Sequence, residues 1–230
     1  ASVDRHQLQD FEPYIYRTRD MGRTWQKITT GLPAGVYVHV VKEDPERQGL
    51  LFAGTERGAF VSFDSGDHWQ SLQLNLPTTS VRDFQVYQND LIVGTHGRGI
   101  WVIDDISPLR QLTDAVLGSD AYLFKPADAI DFIRGGDNGT PLQKDEPQAT
   151  NPPAGAAIDF YLKASGGPVT LAILDSAGTV LQTWSTEARS APAGGGRGGR
   201  GGGGGIPNTS PLWRPTPEPG TAAAGMHRVN

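Results

Sequence analysis

The sequence predicts an all-β chain, built as a repeated sheet unit followed by a second, smaller β-domain. Three observations carry that expectation. Thr18-Arg19-Asp20-Met21-Gly22-Arg23-Thr24-Trp25 returns as Ser62-Phe63-Asp64-Ser65-Gly66-Asp67-His68-Trp69, 44 residues later. Landmarks around it return at the same spacing: Tyr16 with Phe60, Gln26 with Gln70, and Leu32-Pro33 with Leu76-Pro77. Between them lie short β-branched or aromatic runs bounded by Gly, Pro, Asp or Asn, which is how strands read in a sequence.

Taken in order, the N-terminus offers strands near Ser2–Val3, at Tyr14–Thr18 and at Trp25–Thr29. A full unit of four strands follows at Val36–Val41, Leu50–Thr55, Phe60–Phe63 and Trp69–Leu74. A third copy begins at Val81–Tyr87, Leu91–Thr95 and Ile100–Ile103. Ala53-Gly54-Thr55 aligns there with Val93-Gly94-Thr95, and Gly58-Ala59-Phe60-Val61 with Gly99-Ile100-Trp101-Val102. This copy stops at Asp104-Asp105, with no Gly-x-x-Trp behind it. Four strands in about 40–45 residues is the size of a propeller blade. Residues 1–105 thus hold about two and a half blades, whereas closed propellers typically use about 4–8. The remaining blades are expected from a longer parent chain or, failing that, from other chains.

Further on, Ser107-Pro108 reads as an N-cap and first helical residue of a short helix. Tyr122–Phe124 is a candidate for the missing outer strand of the last blade. Residues 113–153 read as a linker, polar and Gly/Pro-rich from 135 onward. Ala156–Lys163, Val169–Leu174 and Val180–Trp184 are three more strands, with Asp175-Ser176-Ala177-Gly178 as a hairpin turn. Their spacing leaves the blade period, so residues 154–230 are expected to form an incomplete immunoglobulin-like β-sandwich. A disordered Gly-rich insertion is expected at 188–224, and another strand begins near His227.

Composition narrows the function. The chain has 230 residues, 30 glycines, 17 prolines and no cysteine. Ten of the glycines fall within residues 194–205, interrupted by Arg197 and Arg200. Without cysteine there is no disulfide framework and no thiolate metal site. A net charge of −5 argues against nucleic acid or an anionic membrane over the whole surface. The two Arg-Gly-Gly triplets lack interleaved aromatics, so they read as a low-complexity loop rather than an RNA-binding segment. No apolar run approaches the ~18–20 residues of a membrane helix. The opening Ala1-Ser2-Val3-Asp4 carries no signal peptide, and the true N-terminus is expected upstream. No cofactor and no metal is expected.

The repeated octapeptide is a turn device. Its Asp carboxylate and first hydroxyl can bond the turn's own backbone. Its Gly supplies a positive φ, and its Trp anchors the returning strand. These residues resemble the Asp-box, or BNR repeat, of β-propellers in sialidases, xyloglucanase-like glycoside hydrolases and the sortilin N-terminal domain. Val38-His39-Val40-Val41, Ala53-Gly54-Thr55-Glu56-Arg57-Gly58 and Gly94-Thr95-His96-Gly97-Arg98-Gly99 are similar to sortilin-like or glycosyl-hydrolase-like bacterial members of that superfamily. The resemblance spans residues 1–112, read as the C-terminal blades of a propeller. More weakly, residues 121–187 resemble the β-sandwich that follows it.

The resemblance implies that Thr18, Asp20, Gly22, Trp25 and Ser62, Asp64, Gly66, Trp69 are structural. Strand order says the same, because these turns join third and fourth strands. Loops joining second and third strands lie at the other end. Those loops carry the candidate ligand-binding residues Asp4, Arg5, His6, Glu56, Arg57, His96 and Arg98. Arg can hold a carboxylate or a sugar hydroxyl, and Glu56 or His96 could move protons. Glycoside hydrolysis needs two carboxylates about 5–9.5 Å apart. Asp4, Asp10, Glu12 and Glu56 are the acids available on that face, and no catalytic pair is assigned. The expected function is a periplasmic or extracellular propeller that binds a glycan or polypeptide. The alternative is a glycoside hydrolase whose acids lie partly in other blades.

Overall fold

The computed structural model describes residues 1–129, 155–186 and 222–229. The chain is mostly β and divides into two compact units, Ala1–Asp114 and Ala115–Asn230.

In the first unit, β1 (Tyr16–Arg17) pairs with β2 (Gln26–Lys27), and Ser2 bridges Ile15. The second sheet is a four-stranded antiparallel meander of β3 (Val38–Glu43), β4 (Leu51–Thr55), β5 (Gly58–Ser62) and β6 (Gln70–Ser71). The third has three strands, β7 (Ser80–Tyr87), β8 (Asp90–His96) and β9 (Ile100–Ile103). Sequence and structure agree on these inner strands to within two residues. The outer strands are shorter than the sequence suggests: β6 keeps two residues of the expected Trp69–Leu74.

Apolar residues at alternate strand positions fill two layers. Ile15, Ile28, Val38, Ala53 and Trp69 pack between the first and second sheets. Leu50, Phe52, Val61, Val81, Phe84, Leu91 and Val93 pack between the second and third. Gly54 sets the second spacing: a Cβ there would sit 2.7 Å from the Val81 carbonyl oxygen. Any larger residue would push these two sheets apart.

After Ile103 the chain does not return along the sheet. It enters helix α1 (Ser107–Gln111). The sequence places Ser107 at the N-cap, but Ile106 occupies that position. The capping oxygen comes from the Asp105 carboxylate, which accepts the Ser107 N–H at 3.0 Å. From this helix Arg110 clamps the turns at the far ends of two sheets. Its Nε lies 3.0 Å from Asp44 Oδ2 and its Nη1 2.7 Å from Asn89 Oδ1. Asp44 is buried and also accepts the Glu46 and Arg47 N–H groups. Removing one partner of such a buried pair costs about 3–5 kcal/mol.

Helix α2 (Asp114–Gly118) starts at the boundary between the units, and β10 (Ala121–Leu123) follows in the second; both lie within the stretch read as a linker. β10 corrects one expectation. It does not complete the third sheet but pairs with β11 (Ile158–Leu162). The reason is burial: Phe124 is enclosed here, and its N–H donates to the Asp159 carbonyl. β14 (Gly225–Val229) pairs with β11 on its other side. Beneath that pairing Arg228 grips the buried Asp159 carboxylate in a forked ion pair. β12 (Thr170–Leu174) and β13 (Val180–Ser185) form a hairpin around Asp175–Gly178. The Asp175 carboxylate accepts the Ala177 and Thr179 N–H groups and thereby shapes the turn. Phe160 meets Trp184 at 6.0 Å between ring centres, so the hairpin faces the three-stranded sheet. Residues 188–221 of the expected Gly-rich insertion, Trp213 and the Asn-x-Thr/Ser triplets Asn138-Gly139-Thr140 and Asn208-Thr209-Ser210 lie outside the described residues.

Candidate functional site

The two aspartate turns have nearly the same hydrogen bonds. Thr18 Oγ1 donates to Asp20 Oδ1 at 2.8 Å and accepts the Gly22 N–H at 2.8 Å. Ser62 Oγ donates to Asp64 Oδ1 at 2.8 Å and accepts the Gly66 N–H at 2.8 Å. The second oxygen of Asp20 takes the Thr24 hydroxyl, and that of Asp64 meets His68 Nδ1. Met21-Gly22 and Ser65-Gly66 both run through positive φ. The Thr24 hydroxyl and N–H, with Thr18, hold the Asp20 carboxyl at about 2. Burial pushes the Asp64 carboxyl up, but the His68 N–H and ring and the Ser62 hydroxyl outweigh it, leaving it below its ordinary value. Both oxygens of each aspartate carboxylate are bonded within their own turn, which leaves little for a ligand.

At the opposite end of β5, about 15 Å away at ~3.3 Å per residue, polar side chains converge on His39. His39 stands on β3, and its side chain is 6% exposed. Its Nε2 lies 2.8 Å from Glu56 Oε2 and 3.1 Å from Ser80 Oγ. Its Nδ1 lies 3.4 Å from Asp4 Oδ2 and 3.4 Å from Arg82 Nη1. Asp4 also meets His6 Nδ1 at 2.6 Å, and the His6 ring stacks on Tyr37 at 4.7 Å. Tyr37 and Ser80 hydrogen-bond to Glu56. Thus the N-terminal segment, β3, the β4–β5 loop and β7 meet at one imidazole.

Neutral His39 with its proton on Nε2 donates to Glu56 and accepts from Arg82 at Nδ1. Protonated, it donates to both carboxylates. Burial pushes Glu56 up, but bonds from His39, Ser80 and Tyr37 hold its carboxyl below the ordinary value. Asp4 behaves alike, with the His6 N–H and ring overcoming burial. Tyr37 is raised by burial and by its bond to Glu56.

The sequence-predicted residues separate into two groups. Asp4, His6 and Glu56 join the cluster. Arg5 turns aside to Asp10 at 3.1 Å. Arg57, His96 and Arg98 are exposed, and no side-chain partner holds them among the described residues. Two of them flank the cluster, since His96 pairs in register with Ser80 and Arg57 follows Glu56. Sequence reading missed Tyr37, His39, Ser80 and Arg82 as site residues. The available signal was strand alternation. Val36 and Val38 are buried in the core, so Tyr37 and His39 must point the other way.

Asp4, His39 and Ser80 stand in the order carboxylate, imidazole, hydroxyl, as in a nucleophilic triad. The setting is wrong for that chemistry. Glu56 holds the imidazole nitrogen that a nucleophilic serine would need, and Ser80 is buried. Asp4 and Glu56 lie on opposite nitrogens of one ring, a separation a glycosidase could use. A general acid, however, needs a raised pKa, and both carboxyls are lowered. Elsewhere a cleft of about 830 Å³, lined by Trp25, Ile28, Leu51, Arg17 and Glu43, opens between the first two sheets at the aspartate-turn end. It contains none of the expected ligand-binding residues. Among the described residues no group of His, Asp and Glu is arranged to hold a metal ion. None of their helices is long and apolar enough to cross a membrane.

No protein-family model matches the chain, and no curated protein matches it.

Proposed function

We propose that residues 1–112 are blades of an Asp-box β-propeller that binds a glycan or polypeptide at the loop end opposite its Asp-boxes. The observation that carries this reading is the cluster around His39. It draws groups from the N-terminal segment and both larger sheets to one end, while Arg57, His96 and Arg98 remain uncommitted beside it. The cluster sets the backbone, and the free cations and ring are available to hydroxyls, carbonyls or carboxylates. The reading places the protein in the periplasm or outside the cell, on its resemblance to sortilin-like and xyloglucanase-like proteins. The second unit is read as the start of an immunoglobulin-like sandwich, supported by its hairpin facing a separate sheet.

A glycoside hydrolase is the second reading, favoured by the contact of Tyr37 with Glu56. The lowered carboxyls and the raised phenol weigh against it, because neither a proton donor nor an activated nucleophile results. The test is calorimetric titration of the full chain with neutral and acidic oligosaccharides and with extended peptides, alongside an assay for released reducing ends. Binding without turnover, weakened at least tenfold in the Arg57→Ala, Arg98→Ala double variant, is expected. Turnover abolished by Glu56→Gln would instead establish the hydrolase.

A further inference from the structure

We infer that the outer edge of β9 is a docking site for one extended polypeptide strand carrying an inward-facing tryptophan. This rests on the internal repeat and is independent of the ligand-binding reading.

β5 and β9 occupy equivalent positions, but they end differently. β5 is covered by β6, with Phe60 opposite Ser71 and Val61 opposite Gln70. Among the described residues no strand covers β9, whose exposed Ile100 and Val102 flank a half-buried Trp101. Beside β6, Trp69 is buried in a cluster with Ile15, Ile28, Leu32, Ala53 and Phe60. One repeat later these positions are Ala59, Leu72, Leu76, Val93 and Trp101. All five line a groove next to β9. It is the counterpart of the Trp69 slot without its indole.

The groove is also continuous with an established interface. Leu76 and Val93 belong to the core layer between the second and third sheets, and Leu72 packs against that layer. A strand running antiparallel to β9 would extend this layer by the one row that the second sheet already has. Register follows from β5. Gly99 bonds inward to Thr95, so Ile100 and Val102 direct their backbone groups outward. The occupant is therefore a strand like β6, with its aromatic residue in the groove.

The probe is a synthetic peptide with the sequence of residues 67–74, titrated into the full chain and followed by amide NMR. Selective shifts at Ile100 and Val102 are expected, with affinity at least tenfold lower for the peptide carrying Trp69→Ala. Val102→Pro removes an outward N–H while sparing the β8 pairing, and it should weaken binding at least tenfold. Leu74→Lys at the groove rim gives a second reading should the proline variant not fold. No shift at β9 up to millimolar peptide, or equal affinity with and without the indole, overturns the inference. So does concentration-dependent dimerisation lost in Val102→Pro, which would make a second copy the occupant.

Discussion

The two aspartate turns are the same local object in two surroundings. Their hydroxyl, carboxylate and glycine bonds match almost atom for atom, yet their tryptophans differ. Trp69 is 4% exposed, and its indole N–H donates to the Ile28 carbonyl of the neighbouring sheet. Trp25 is 53% exposed, and its N–H folds back to Gly22 of its own turn. Local sequence builds the turn, and the sheet beside it decides what the turn contributes.

The largest expected difference is at those tryptophans. Trp69→Ala should destabilise the first unit by about 3–5 kcal/mol through the cavity it leaves. Trp25→Ala should cost roughly 1 kcal/mol or less, since half of its ring already faces solvent. Denaturant unfolding of both variants checks this, and equal losses would break the comparison.

The glycines sharpen it. Gly22→Ala and Gly66→Ala share the left-handed backbone penalty of about 1–2 kcal/mol. At Gly66 the new methyl also meets Ile28 Cδ1 at 2.4 Å, whereas at Gly22 its nearest neighbour is Trp25 at 3.7 Å. Overpacking should add about 1–3 kcal/mol at Gly66 alone. Ser62→Ala should follow at about 1–3 kcal/mol, because it strands the Gly66 N–H in a buried setting. Thr18→Ala, in the more open turn, should cost less.

Acid titration gives the smallest effect. Asp20 is lowered from 3.8 to about 2, so it binds protons more weakly folded than unfolded. Its contribution is complete above the unfolded value and disappears as pH falls through about 2. The carboxyl chemical shift of Asp20 should show a midpoint near 2, and Asn at this position should remove the acid dependence. Glu56 and Asp4 carry the same sign, so their contribution to the His39 cluster is complete above the ordinary carboxylate value and is lost as pH falls through their lowered folded values. Amide exchange in the β4–β5 loop would register it, and exchange unchanged once the side-chain chemical shifts show both carboxyls protonated would count against the cluster's role.

Much of this architecture was legible as spacing. The repeat located the inner strands and both turns, because a four-strand unit punctuated by Ser/Thr-x-Asp-x-Gly-x-x-Trp has few other ways to bury its apolar positions. The loop end was legible in part. Asp4, His6 and Glu56 were identifiable as polar residues in equivalent loops, but the imidazole joining them was not. His39 lies on a strand between core valines, and nothing in its immediate sequence says that carboxylates from 35 residues upstream and 17 residues downstream will meet it. Tyr122–Phe124 misled for a similar reason. Its strand character was correct, but its partner depended on where Phe124 could be buried.

The sequence by itself determined the period, the strand character and the chemistry of each turn, since these depend on backbone sterics and bonds within a few residues. Tertiary structure alone decided that Trp69 is core while Trp25 is surface, that Asp105 rather than Ser107 caps α1, and that His39 organises the loop end. Each of those outcomes is set by which other segment arrives alongside, and contacts across long sequence separations are not encoded in any one stretch of residues.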